Sequence, residues 1–200
     1  MRWHFGRNDL PLVDVNLTLT TRSPMEYDET IELEEYDEAW PEQFEREGVN
    51  LLETLADSVH DIAHVGSTAV AGMVAKPVVD IMVGVDSLEA INQHVVALQT
   101  IGYEYFGEAR VEGRLYFRKR DDEGAHYNVS VVLHQGEHWQ NYLAVRDYLR
   151  EHPSVAEEYG ALKRRIFEDE GKTRLIAYSE AKAEFMEQLL EDARQWCGLT

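Results

Sequence analysis

The chain predicts an α/β sheet domain with appended helices, on three observations. Short alternating or fully apolar runs fill its first two thirds. One of these, "PVVDIMVGV", is apolar on both faces and reads as a central strand. From residue 134 onward, apolar residues recur at helical spacing with Pro and Gly punctuation.

Residues 1–30 show no clean periodicity and stand apart from the rest. Met25 is a candidate start, with the first part an upstream extension; otherwise the segment is a strand-forming arm, since "VDVNLTL" alternates. Residues 31–200 form one domain, a length that suits a single core. "IELEEY" predicts a short strand. A helix follows from Ala39 to Ala56, with Pro41 in its first turn, where a missing N–H costs little, and Trp40, Phe44, Leu51, Leu52 and Leu55 as its apolar stripe. "VHDIAHV" is a strand ending at Gly66, the stretch to Pro77 is loop or a broken turn of helix, and the central strand comes next. Ser87 caps a helix that Gly102 stops. "YEYFGE", "GRLYFRKR" and "HYNVSVVL" are strands divided by Gly- and Asp-rich turns. "GEHWQNYLAVRDYLREH", "PSVAEEYGALKRRIFEDEG" and "SEAKAEFMEQLLEDARQWC" are three helices.

Charge narrows the class. Asp and Glu number 38 against 19 Lys and Arg, a formal net charge of −19. Lys is rare, five against fourteen Arg. An acidic, Lys-poor surface stays hydrated where salt screens repulsion to a few Å, which predicts a cytoplasmic protein of a halophilic archaeon. It argues against nucleic-acid binding, which needs a basic surface. No apolar run is long enough to span a bilayer, so no membrane partner is expected. Cys197 is the lone cysteine, which leaves no intrachain disulfide or cysteine metal cluster.

The candidate site begins in "HVGSTAVAGMVAKPVVDIMV". Backbone N–H groups of Gly66 and Ser67, ending a strand, can form a nest for phosphate, with the Ser67 and neighbouring Thr68 hydroxyls beside it. Asp80, thirteen residues on, sits among Val78, Val79, Ile81 and Met82. A carboxylate there needs a partner, a hydrogen bond or a metal; either it serves chemistry or it holds the loop. Strand alternation puts His126, Asn128 and Ser130 on one face, and Arg114, Tyr116, Arg118 and Arg120 on one face of the preceding strand. His64 precedes the turn and can orient Asp80 or the loop. Lys76, retained in a chain that prefers Arg, fits a phosphate point charge. Arg146, Lys163 and Lys182 stand among acids and read mainly as surface ion-pairing residues, and as phosphate clamps otherwise. The remaining histidines lack the spacing of a zinc site.

"YDEAWPEQFE", "IAHVGSTAVAGMVAKPVVDIMVGV", "GYEYFGE", "YFRKR", "HYNVSVV", "NYLAVRDYLREHP" and "YSEAKAEFMEQLL" together resemble the GrpB family, in order from about Ile31 to Leu190. That family is placed by fold with the nucleotidyltransferases. The resemblance implies an α+β fold: a nucleotidyltransferase-like mixed β-sheet flanked by helices, with a C-terminal helical region. Nucleotidyltransferases hold NTP phosphates on a Gly-Ser turn and two Mg²⁺ on an Asp-x-Asp pair plus a third acid, which stabilises an in-line displacement. Gly66 and Ser67 match the turn, and Asp80 matches the second acid of the pair. The first falls on Val78, which cannot bind metal. Where the family shows His-x-His, this chain has His126 and Asn128, and "VAG" replaces Val-Pro-Gly. The implied function is binding of a nucleotide or phosphorylated small molecule, with Mg²⁺-dependent nucleotidyl or phosphoryl transfer as the enzymatic version. In that version Asp80 and His126 are catalytic and metal-holding, and Gly66, Ser67, Thr68, Lys76, His64, Arg118 and Asn128 bind ligand. The alternative is a non-catalytic ligand-binding or regulatory domain that kept the cradle and lost the metal acids. The family's domain is found fused to dephospho-coenzyme A kinase, an analogy that hints at nucleotide metabolism.

Overall fold

The computed structural model describes residues 28–120, 125–169 and 174–199; the expectations for residues 1–27, for the turn at 121–124 and for Gly171 lie outside these. Five strands form one mixed sheet: β1 (Asp61–Val65), β2 (Val78–Val85), β3 (Glu104–Tyr105), β4 (Arg114–Arg120) and β5 (His126–Leu133), in the order β1-β2-β5-β4-β3. β2 and β5 run parallel, and every other pair is antiparallel. The helices are α1 (Ala39–Leu55), α2 (Leu88–Ile91), α3 (Val95–Thr100), α4 (Glu137–Glu151), α5 (Pro153–Glu168), α6 (Leu175–Ala181) and α7 (Ala183–Cys197). The expected α+β architecture, a mixed sheet flanked by helices, is what the chain adopts.

The period of two divides the sheet into unlike faces. Val79, Ile81 and Val83 of β2, Tyr127, Val129 and Val131 of β5 and Phe117 of β4 point to one side. There they pack with Trp40, Leu51 and Leu55 of α1 and with Val95 and Leu98 of α3. This is the main core. One charged group is set into it: Glu47 of α1, 3 % exposed, accepts hydrogen bonds from Tyr103 at 2.8 Å and from Lys119 at 3.1 Å. The opposite face carries Asp80, Asn128, Ser130, Tyr116, Arg118 and Arg120 at its centre. At one end of that face Met82 and Val132 pack with Trp139 of α4. The main core fixes the sheet, and the sheet in turn delivers the polar residues to the face covered by the C-terminal helices.

Three expected elements differ. "IELEEY" is not a strand: it makes only isolated bridges, Thr30 to Arg174 and Glu34 to Ala75. Its apolar residue Ile31 packs with Ile166 and Tyr178, and Glu35 pairs with Arg164 at 2.7 Å, so side chains of the C-terminal helices hold it. The helix after Ser87 is broken by a 3₁₀ turn at Asn92–His94, whose His94 ring meets Ser58 Oγ at 3.0 Å. The last helix is two, α6 and α7, hinged at Lys182.

Replacing Glu47 by Ala strands the Lys119 ammonium and the Tyr103 hydroxyl in the interior. The expected cost is about 3–5 kcal/mol, read from the urea midpoint; a loss within about 0.5 kcal/mol, typical of surface positions, contradicts this.

Candidate functional site

Gly66 ends β1 with φ +72°, a backbone that favours glycine. A second constraint acts at the same atom. A Cβ built on Gly66 would lie 2.5 Å from Asp80 Oδ2, so the turn presses directly against the carboxylate. Ser67–Ala69 then form a 3₁₀ turn. Asp80 stands opposite Val65 on one side and Asn128 on the other.

A relay of hydrogen bonds sets the carboxylate. Asn128 Nδ2 donates to Asp80 Oδ1 at 2.8 Å. Asn128 Oδ1 accepts from Arg120 Nη2 at 3.0 Å, and Arg120 is clamped by Glu29 at 2.7 and 3.1 Å. The guanidinium can only donate, so it turns the Asn128 amide to offer its NH₂ to Asp80. Oδ1 is thereby satisfied. Oδ2 makes no hydrogen bond or ion pair among the described residues.

Asp80 lines a cavity of about 80 Å³, together with Ser67, Thr68, Lys76, Lys163, Tyr178 and Lys182 among others. Three of the five lysines of the chain meet here. Lys163 is 1 % exposed; its Nζ donates to the Val74 carbonyl and lies over the Tyr159 ring. Burial, with Lys182 and Arg164 nearby, pushes its pKa down to about 6. Burial also pushes Lys76 down to about 8, against the pull of Asp80, and its Nζ makes no hydrogen bond among the described residues. At Lys182 burial opposes the charge too, but the phenols of Tyr159 and Tyr178 together with Asp80 outweigh it and raise the pKa. No ion pair joins Asp80 to any of the three among the described residues. Cations and carboxylate share a cavity without touching.

Asp80 also lines a larger cavity of about 910 Å³ on its other side, with Tyr116, Asn128, Ser130, Arg114, Tyr142 and Ser179. Burial and the charge of Asp80 push the Tyr116 phenol well above its ordinary pKa, so it stays a hydroxyl. Asp80 is the link between the two spaces.

The structure thus brings Ser67, Thr68, Lys76 and Asp80 together, with Asn128 behind the carboxylate and Gly66 against it. His64 is 8 % exposed, stacked on Phe44 with centroids 4.9 Å apart, and its Nε2 meets the Thr68 hydroxyl at 2.9 Å. Burial pushes it down to about 4, so it braces the turn as a neutral ring. His126 lies opposite Val78 and Arg120 in the sheet and lines neither cavity. Arg118 is 7 % exposed, paired with Glu29 and Glu104 at 3.4 and 3.5 Å and packed on Phe106, away from both cavities. Arg120, one pleat along, is the arginine that reaches Asn128. Lys163 and Lys182 correct the expectation of surface ion pairs: both line the small cavity, and neither pairs with an acid among the described residues. Arg146 does pair, with Asp147 at 2.7 Å, and also donates to the His64 carbonyl. The lysine signal was present in the sequence as scarcity; helical periodicity alone did not say which way Lys163 and Lys182 face.

The donor set does not fit Mg²⁺. Among the described residues no three His, Cys, Asp or Glu side chains are placed to hold a metal ion. Asp80 is the one carboxylate of the small cavity among the described residues, the neighbouring Asn128 turns its NH₂ toward it, and three lysines share the lining with the hydroxyls of Ser67, Thr68 and Tyr178, where a hard cation favours several carboxylate or carbonyl oxygens.

With this geometry in place, relatives can be compared. The model of the GrpB protein family matches residues 30–192. The chain belongs to the GrpB family. The glutamate-rich protein GrpB of Alkalihalophilus pseudofirmus is 33% identical over 163 residues, covering 78% of this chain and 92% of that protein. UPF0157 protein YqkA of Bacillus subtilis is 32% identical over 166 residues, 83% of this chain; the chain spans about half of that protein, 48%. The crystal structure of the conserved protein GrpB from Enterococcus faecalis superposes with a TM-score of 0.73 at 31% identity, covering 82% of this chain and 98% of that one. No helix among the described residues is long and apolar enough to cross a membrane.

Two outcomes test the site. Gly66→Ala forces Cβ against Asp80 Oδ2 and strains the backbone, with an expected loss of about 1–3 kcal/mol in chemical unfolding; wild-type stability contradicts the contact. Lys163 binds its proton less readily folded than unfolded, so native stability falls as pH drops from 10.5 toward 6. In a buffer free of phosphate, Lys163→Met flattens that fall, and an unchanged slope of stability against pH contradicts a buried neutral amine.

Proposed function

We propose that this GrpB-family chain binds a nucleotide or other phosphorylated small molecule without a metal, seating its phosphate among Lys76, Lys163, Lys182 and the Ser67 hydroxyl. One observation carries this: three lysines line a single small cavity, and Asp80, its only carboxylate among the described residues, pairs with none of them. Charging buried amines without a counter-charge is costly, and a phosphate dianion offsets that cost. Ser67 Oγ, which makes no hydrogen bond among the described residues, adds a donor. The ligand's organic part extends past Asp80 into the larger cavity.

A ligand-binding or regulatory role is favoured over Mg²⁺-dependent transfer by the donor set. A single carboxylate amid lysines cannot hold the two metals that clamp an in-line displacement.

Calorimetry with inorganic phosphate, ATP and GTP, in EDTA and with Mg²⁺, tests the function. Binding of at least one of these, equal in both conditions, is expected. Lys163→Met and Lys182→Met each weaken it by roughly tenfold or more, as charge-assisted hydrogen bonds do. Binding only with Mg²⁺ returns the case to metal-dependent transfer, and binding to none contradicts the cradle.

A further inference from the structure

Asp80 poses a problem for any phosphate site. Placing a carboxylate at the rim of an anion cradle repels the ligand, unless the ligand brings a hydrogen for it. Every other demand on Asp80 is already met. Oδ1 accepts from Asn128, whose own orientation is fixed through Arg120 and Glu29, and Gly66 stands close beside Oδ2. Asp80 lines both cavities, and its Oδ2 is an acceptor with no donor among the described residues.

The donor it suits is a neutral hydroxyl. A ligand ammonium at this point would meet Lys76 and Lys182 as well as Asp80, and would be repelled. The wall beyond Asp80 carries the hydroxyls of Tyr116 and Ser130 and the Asn128 amide, partners for a hydroxylated chain or ring. Asp80 lines the same small cavity as the lysines, so a hydroxyl that reaches it stands close to the phosphoester oxygen.

We propose that the ligand is a phosphomonoester of a polyol or sugar, carrying a hydroxyl on the carbon next to its ester carbon, and that Asp80 Oδ2 accepts that hydroxyl's hydrogen bond. The proposal rests on the phosphate-binding function above and adds its substrate class and the residue that selects it. Asp80 discriminates; the lysines hold.

The test compares three small phosphomonoesters by calorimetry on the full chain in EDTA: glycerol 3-phosphate, n-propyl phosphate and O-phosphoethanolamine. The first has the adjacent hydroxyl, the second lacks it, and the third replaces it with an amine. Wild type should bind glycerol 3-phosphate about tenfold or more tighter than either of the others, the increment of a hydrogen bond to a charged acceptor. Asp80→Asn should bring glycerol 3-phosphate and n-propyl phosphate to within about threefold of each other. The same variant should tighten binding of inorganic phosphate, because a repelling charge is gone. Equal binding of glycerol 3-phosphate and n-propyl phosphate by wild type, with inorganic phosphate still bound, overturns the hydroxyl assignment and leaves the phosphate cradle standing. Tighter binding of O-phosphoethanolamine likewise overturns it. Failure of wild type to bind inorganic phosphate and all three esters overturns the cradle and the assignment together.

Discussion

A carboxylate in the middle of a parallel strand pair governs the arrangement of this chain. Asp80 sits on β2 among valines and isoleucine, where an unsolvated charge would be unfavourable. It is tolerated because β5 lies parallel in a register that sets Asn128 beside it, and because β4 brings Arg120 to orient that amide. The same carboxylate dictates glycine at position 66, since its Oδ2 fills the space of a Cβ. Strand order, register and turn are thus tied to one side chain.

The lysines acquire their meaning from the charge of the whole molecule. A chain of net charge −19 repels phosphate at long range, so attraction must be built locally and shielded from water. Lys163 is the extreme case, buried with no acid beside it and pushed down to about 6. Entry of a dianion favours its protonation, coupling ligand uptake to proton uptake. Salt near a molar screens the global repulsion beyond a few Å, while contacts inside the cavity are screened far less. The acidic exterior and the cationic interior are compatible for that reason.

Much of the fold was legible because its elements have strong periods. β1, β2, β4, β5, α1 and α4 follow from alternation, apolar runs and helical stripes, and Ser87 and Gly102 mark their helix ends. "IELEEY" misled because alternation predicts extended backbone without saying whether a partner strand exists; it has one isolated backbone bridge, Glu34 to Ala75, and side-chain contacts with the C-terminal helices. At the site, the Gly-Ser turn, Asp80, Lys76 and Asn128 were legible from spacing and strand face. Alternation puts Arg118 and Arg120 on one face and does not say that Arg120, the less buried of the two, is the one whose guanidinium reaches Asn128. Lys163 lies on α5 and Lys182 at the junction of α6 and α7, both more than eighty residues away from the turn, and their inward orientation depends on how the C-terminal helices pack together. His126 shares the face of Asn128, and its strand partner Val78 lines the small cavity, but His126 lines neither cavity.

The central claim is that an anion belongs between the Gly66–Ser67 turn and the three lysines. Crystals soaked in tungstate, a heavy tetrahedral oxyanion, locate such a site by anomalous scattering. The strongest peak is expected in the small cavity, within hydrogen-bonding reach of Ser67 Oγ and of Lys76, Lys163 and Lys182. A cavity without anomalous density, in crystals whose surface arginines are visibly occupied, would contradict the account.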